Sequence, residues 1–159
     1  FATPEECAAL VAAGGDWDSM GRAHTSQGGH SPYRRSYSSN IYPRLDDADS
    51  SVTRLVSRMF AATRNLTGYV VYPPGQEPVN AVLYKHIGDE YRPHCDGSCH
   101  GGAHQHGERV ATSILYCQTA TRGGQTSFTS GALKVTPAAG DMLLFAYRLE
   151  NGRMTGKEG

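Results

Sequence analysis

The chain has 159 residues, enough for one domain that buries roughly two-thirds of the surface its unfolded form exposes. Fifteen basic residues balance fifteen acidic ones, so the overall charge gives no reason to expect a nucleic-acid or membrane-surface partner and points to a small or neutral one. No run approaches the ~20 apolar residues of a bilayer span, and the first residues lack the basic stretch and apolar core of a signal peptide, so the chain reads as soluble. Phe1 leads straight into a capped helix, and a natural start further upstream, with any targeting segment, is expected. Nineteen glycines, and nine tyrosines against four phenylalanines and one tryptophan, favour short strands and turns over helical bundles.

Thr3-Pro4-Glu5-Glu6 combines a capping hydroxyl, a proline at the first helical position and a glutamate three residues after the cap, and so predicts a short first helix ending at Gly14-Gly15. Residues 16–32, rich in Gly, Ser, His and Asp without periodicity, read as a loop bordering a binding site. Tyr33 to Tyr42 reads as a strand. Asp46, Asp47 and Asp49 then supply negative charge suited to the start of a second helix. Its apolar stripe is Val52, Leu55, Val56, Met59 and Phe60, a face that should pack on a sheet.

From Tyr69 onward short β-favouring runs follow: Tyr69 to Tyr72, Val79 to Lys85, Arg109 to Cys117, Thr126 to Phe128, Leu133 to Val135 and Met142 to Tyr147. Breaks fall at Pro73-Pro74-Gly75, Gly88-Asp89, Gly123-Gly124 and Ala139-Gly140-Asp141, and no repeat recurs at a fixed period. Helices first and strands after predict a mainly β (α+β) domain, a jelly-roll sandwich with N-terminal helical support. Cys7, Cys95, Cys99 and Cys117 allow up to two bridges or none, with Cys95 and Cys99 nearest in sequence. Asn65-Leu66-Thr67 is an N-glycosylation sequon, relevant if the protein passes through the secretory pathway.

The densest polar cluster runs from Tyr91 to His100, followed by His104 and His106. On an extended strand His94 and Asp96 would share one face, so an imidazole and a carboxylate can grip one ion. Non-haem iron(II) oxygenases need two histidines and a carboxylate on one face of the metal, with the other positions open. Alone, His-x-Asp is common by chance and reads as a hydrogen-bonded surface pair. Its setting adds weight: Tyr84-Lys-His-Ile-Gly88-Asp-Glu-Tyr91-Arg-Pro-His94-Cys-Asp96, Gly107-Glu-Arg109-Val-Ala-Thr112-Ser-Ile-Leu-Tyr116, Gly123-Gly124-Gln-Thr126-Ser-Phe128, and Leu133 through Phe145. In this order the blocks closely resemble the catalytic domain of prolyl 4-hydroxylases, iron(II)/2-oxoglutarate dioxygenases. Phe1 to Cys7 resembles that family's opening helix and Tyr33-Arg34-Arg35-Ser36 its Arg-Thr-Ser strand.

The resemblance implies a double-stranded β-helix and hydroxylation of prolyl residues in a peptide, with release of succinate and carbon dioxide. It implies Fe(II), 2-oxoglutarate and O2, with ascorbate in support. His94 and Asp96 would be metal ligands, with Tyr84, Tyr116 and Thr126 near the 2-oxoglutarate, while Tyr91, Arg109, Arg34 and Ser36 match positions facing the peptide. The secretory pathway or endoplasmic reticulum lumen is the expected location, the cytoplasm the alternative. The family's distal histidine and the base that pairs with the far carboxylate of 2-oxoglutarate follow the block equivalent to Gly140 to Phe145. Here no histidine follows His106, and no spacing supports Lys157 as that base. The expectation is one domain over residues 1–159 that lacks its last strands and belongs to a longer product; the alternative is a non-catalytic homologue acting as a peptide-binding or structural subunit.

Competing readings exist for the remaining residues. His100, His104 and His106 with Cys95 and Cys99 offer zinc ligands, but their spacing matches no common finger, and a solvated Gly/His-rich loop between two strands is expected. Tyr84, Tyr91 and Tyr116 suit any sheet, and Arg34 and Arg109 suit a solvated strand.

Overall fold

The first helix, α1, spans Pro4–Ala13. Its cap is the predicted one: Glu6 N donates to Thr3 Oγ1 and Thr3 N to Glu6 Oε2, at 3.2 and 2.9 Å, so two orphan helix-end donors are satisfied reciprocally. These coordinates are a computed structural model, which describes residues 1–18, 20–22, 33–44, 46–69, 71, 75–96, 109–129 and 132–147. Most of the predicted loop at 16–32 lies outside them, as do His100, His104, His106 and Cys99.

The second helix, α2, spans Ser51–Thr67 and is capped by Ser50. The aspartates act one step back: Asp47 Oδ1 accepts from Ser50 N at 3.1 Å, and the first helical turn holds no acid. Leu55 (fully buried), Val56 and Met59 of the predicted stripe are buried, and Val52 and Phe60 are half-buried. Leu55 joins Leu10 of α1 and Ile41 in the core, with Val79, Ala81 and Leu115 packed against them, so the stripe does lie on strands.

Six strands are described: β1 Tyr37–Ile41, β2 Val79–Leu83, β3 Ala111–Leu115, β4 Thr126–Phe128, β5 Leu133–Val135 and β6 Met142–Ala146. They form three antiparallel pairs, β1 with β2, β3 with β6 and β4 with β5. Thr112 stands opposite Phe145 in the β3–β6 register. The strand read from Tyr33 begins only at Tyr37, because Arg34 pairs instead with Tyr91 in an isolated bridge. Tyr69 and Val71 are not strand, and the rest of that run is not described. Helix and strand take comparable shares of the described residues, so the architecture is α+β, with the β character concentrated after residue 78.

A disulfide joins Cys7 of α1 to Cys117, just past β3, with Cα atoms 5.0 Å apart. Ala2 N donates to Gly140 O at 3.0 Å beside it. Gly140 has φ 89, and a Cβ there would meet Ala2 O at 2.5 Å, so both backbone conformation and space require glycine. Bridge and hydrogen bond together dock the N-terminal segment on the end of the β3–β6 pair. No described helix is long and apolar enough to cross a membrane.

Candidate active site

His94 and Asp96 lie on irregular backbone rather than on the expected strand. Their side chains nevertheless converge, with His94 Nε2 2.8 Å from Asp96 Oδ1. The anchoring comes from the segment before them: Arg35 N donates to Glu90 O at 2.8 Å and Arg92 N to Tyr33 O at 2.9 Å. The other ring nitrogen, His94 Nδ1, lies 2.8 Å from Arg92 O. A carbonyl oxygen only accepts, so Nδ1 carries a proton, and Nε2 faces a carboxylate that also only accepts when ionised. Such an arrangement asks for a cation between nitrogen and oxygen, a proton or a metal. Two donors each about 2.1 Å from one ion at right angles stand about 3.0 Å apart, close to the observed separation. The pair therefore fits two adjacent positions on a divalent ion. Among the described residues no third His, Cys, Asp or Glu gathers with them. Cys95, between the two, is disulfide-bonded and so offers no thiolate, which removes it from the zinc alternative.

The second carboxylate oxygen is held separately. Thr112 Oγ1 donates to Asp96 Oδ2 at 2.9 Å, and the same hydroxyl bonds to the Tyr147 hydroxyl. Burial first, and the Asp96 charge second, push the Tyr147 phenol well above its ordinary range, so it stays a neutral donor. Arg109 Nη1 donates to Asp96 O at 2.9 Å, while its Nε and Nη2 form a fork on Glu77 at 2.5 and 2.7 Å. Arg109 thus ties Glu77 to the Asp96 backbone while its side chain stays exposed to solvent. The Glu77 contact holds the guanidinium charged and raises its pKa.

Tyr116, just past β3, and Thr126, on β4, meet with their hydroxyls 2.6 Å apart. Tyr84 follows β2 with 49% of its surface exposed, yet desolvation raises its phenol, and its electrostatic neighbours are Arg34, Tyr91, Tyr116 and Asp96. Of the three residues expected near 2-oxoglutarate, Tyr116 and Thr126 are joined directly, and Tyr84 lies within electrostatic reach of Tyr116 and Asp96. Phe128, Phe145 and Tyr147 form an edge-to-face row alongside, with successive centroids 5.0 and 5.9 Å apart.

Tyr91 stacks on His94 at 3.5 Å and 14°, and the Arg34 guanidinium lies 4.8 Å above the same ring. A face covered at 3.5 Å has no room for a second plane, so Arg34 occupies the opposite face. Both faces of Tyr91 are taken, which leaves the ring edge and hydroxyl. Arg34 Nε donates to Ser36 Oγ at 3.0 Å, and Ser36 is only 2% exposed. Ser36 is therefore buried beneath Arg34 and not open to a peptide. No local sequence signal marks Thr112, Tyr147 or Glu77 for these contacts, because each depends on a partner at least 16 residues away.

Residues 79–152 match the model of the 2OG-Fe(II) oxygenase superfamily. Prolyl 4-hydroxylase subunit alpha-3 from Mus musculus is 32% identical over 108 residues, and those from Bos taurus and Homo sapiens are 33% identical over 108. Each match takes in 65% of this chain and 19% of the relative, so the chain matches about a fifth of their length. That family implies a jelly-roll fold and a chemistry of Fe(II), 2-oxoglutarate and O2, and the matched span contains both His94 and Asp96. These matches support a prolyl 4-hydroxylase-like 2OG-Fe(II) oxygenase, a likeness carried by residues 79–152 and by the 108 residues shared with the alpha-3 subunits.

Proposed function

We propose that this domain hydroxylates a prolyl residue of a peptide or protein, with 2-oxoglutarate and O2 as cosubstrates and Fe(II) held by His94 and Asp96 within a jelly roll. The observation that carries the reading is the convergence of His94 Nε2 and Asp96 Oδ1 at 2.8 Å inside a shell of tyrosine, threonine and arginine. Iron held there would activate O2, the oxidant, one atom of which would enter succinate as 2-oxoglutarate loses carbon dioxide and the other the target C–H bond. Ascorbate supports turnover by keeping iron reduced.

The chain's own residues bind, orient and exclude water. Tyr84, Tyr116 and Thr126 offer hydroxyl donors to a carboxylate of 2-oxoglutarate. The Phe128–Phe145–Tyr147 row supplies an apolar wall that limits water at the reacting centre. Arg34, clamped between Ser36 and the Tyr91 ring, presents fixed donors to peptide carbonyls, and the Tyr91 edge and hydroxyl meet the target. A polyproline II peptide suits such a site because its extended shape costs little entropy to bind.

The proposed compartment is the lumen of the secretory pathway. Its supports are the Cys7–Cys117 bridge, the absence of a free cysteine among the described residues, and an exposed sequon at Asn65. In a secreting eukaryotic host Asn65 is expected to carry a glycan, seen as a mobility shift on endoglycosidase treatment that N65Q abolishes; secretion without that shift removes this support.

The test of the reaction is incubation of the natural full-length protein with Fe(II), 2-oxoglutarate and paired peptides that differ only in proline against alanine. A gain of one oxygen atom on the proline peptide alone, with equimolar succinate, is expected. Peptide binding without succinate release would instead indicate a non-catalytic subunit, and oxygen gain on the alanine peptide would retain the dioxygenase and discard prolyl specificity.

A further inference from the structure

We propose that the hydroxyls of Thr112 and Tyr147 act as one unit that fixes the rotation of the Asp96 carboxylate and thereby sets how tightly the His94–Asp96 pair holds a divalent ion. The inference rests on the metal reading above and extends it to two positioning residues. A carboxylate ligand is free to rotate about its terminal bond, and each orientation aims a different lone pair at the ion. Here Oδ1 faces His94 Nε2, while Oδ2 receives the Thr112 hydroxyl at 2.9 Å. That division is what a single-oxygen ligand needs, because the bonded Oδ2 cannot swing to the metal side.

The sheet builds this arrangement. Thr112 faces Phe145 across the β3–β6 pair, and Tyr147, two residues past Phe145, falls on the same face at the diagonal position. Tyr147 N donates to Val110 O at 3.0 Å, which continues the pairing beyond β6, and the Phe145 ring packs edge-to-face on Tyr147. Thr112 spends its single proton on Asp96, so in its bond with Tyr147 it accepts and the phenol donates. The Tyr147 phenol, the Thr112 hydroxyl and the carboxylate thus form one chain, with Tyr147 donating to Thr112 and Thr112 to Asp96. Outer-shell hydrogen bonds of this kind orient ligands and tune metal affinity.

The experiment is a Mn(II) titration of the natural full-length protein, read by the loss of the free-ion electron paramagnetic resonance signal, with His94→Ala as the control for the metal reading. Thr112→Val keeps the shape without the hydroxyl and is expected to weaken Mn(II) binding by about 10- to 100-fold. Thr112→Ser restores the donor and should return binding to within about 3-fold of the original. Tyr147→Phe is expected to cost about 2- to 10-fold, and the double variant less than the product of the two single losses, because Tyr147 reaches Asp96 through the Thr112 hydroxyl. Thr112→Val within 2-fold of the original, with Thr112→Ser and Tyr147→Phe equally silent, overturns the proposal, and fully independent losses overturn the claim that the two act together. Should Thr112→Val fail to fold, Tyr147→Phe still decides, a loss supporting the proposal and binding within about 2-fold of the original overturning it. Mn(II) binding that His94→Ala leaves intact would sink the metal reading itself, and this inference with it.

Discussion

Replacing both Cys7 and Cys117 with alanine tests whether the N-terminal helix is a tethered part of the fold. The two residues are 110 apart in sequence, and in the chain-entropy account a closed loop of that length restricts the unfolded state by about 4.8 kcal/mol. Removing it would shift the folding equilibrium by about three thousandfold, a large part of the ~5–15 kcal/mol that holds a domain together. Equilibrium urea denaturation of the two proteins, followed by the fluorescence of the single tryptophan, measures the loss. Trp17 is a suitable reporter because its Nε1 donates to Val11 O at the end of α1, the tethered helix. The variant should show a lower midpoint and a larger m value, because an unlinked unfolded chain exposes more surface. Alanine is the right replacement, since Cys7 is 6% exposed and serine would bury a hydroxyl. A loss below about 1 kcal/mol would refute the reasoning, because native bridges of small domains are worth about 2–5 kcal/mol.

Gly140→Ala combines a strained φ with a Cβ 2.5 Å from Ala2 O, so it should lower stability by about 1–3 kcal/mol and raise amide exchange at Ala2, whose bond to Gly140 O it breaks. Leu55→Ala, at a fully buried core position, should cost about 2–5 kcal/mol in urea denaturation, whereas Leu66→Ala, 72% exposed, should stay within about 0.5 kcal/mol. The Arg58 fork on Glu6, then the Thr3 backbone N–H, lower the Glu6 pKa to about 2 from an ordinary 4.5. Its stabilising contribution is therefore complete above pH 4.5 and lost as pH falls toward 2. Arg58→Met should flatten the fall in melting temperature across that window, and an unchanged acid limb would count against the ion pair.

Much of the fold was legible because its signals are local. Thr3, Pro4 and Glu6 interact within one helical turn, and the stripe from Val52 to Phe60 repeats with the helix period, so neither needs a distant partner. The cores of β2 to β6 were legible for the same reason, as short β-favouring runs between turn residues. Strand edges were less so: Arg34 and Arg35 leave the predicted strand because residues 90 and 91 compete for their backbone, a contact across more than fifty residues. The pairing of Cys7 with Cys117 was open for the same reason. At the site, His94 and Asp96 were found by their spacing and flanking blocks, although the strand invoked to align them is absent. The Tyr91 ring, sandwiched between Arg34 and His94, and the hydroxyls of Thr112 and Tyr147 exist only through tertiary packing, and no short-range pattern encodes them.

The most direct test of the His94–Asp96 centre is anaerobic titration of the natural full-length protein with Fe(II) and 2-oxoglutarate, followed by visible absorption. Chelation of 2-oxoglutarate to protein-bound iron gives a charge-transfer band that neither component gives alone. The band should rise to a one-to-one end point in the wild type and be absent in His94→Ala and Asp96→Ala at the same concentrations. A wild type without the band, or a band of full strength in either variant, would contradict the assignment of these two residues to the metal.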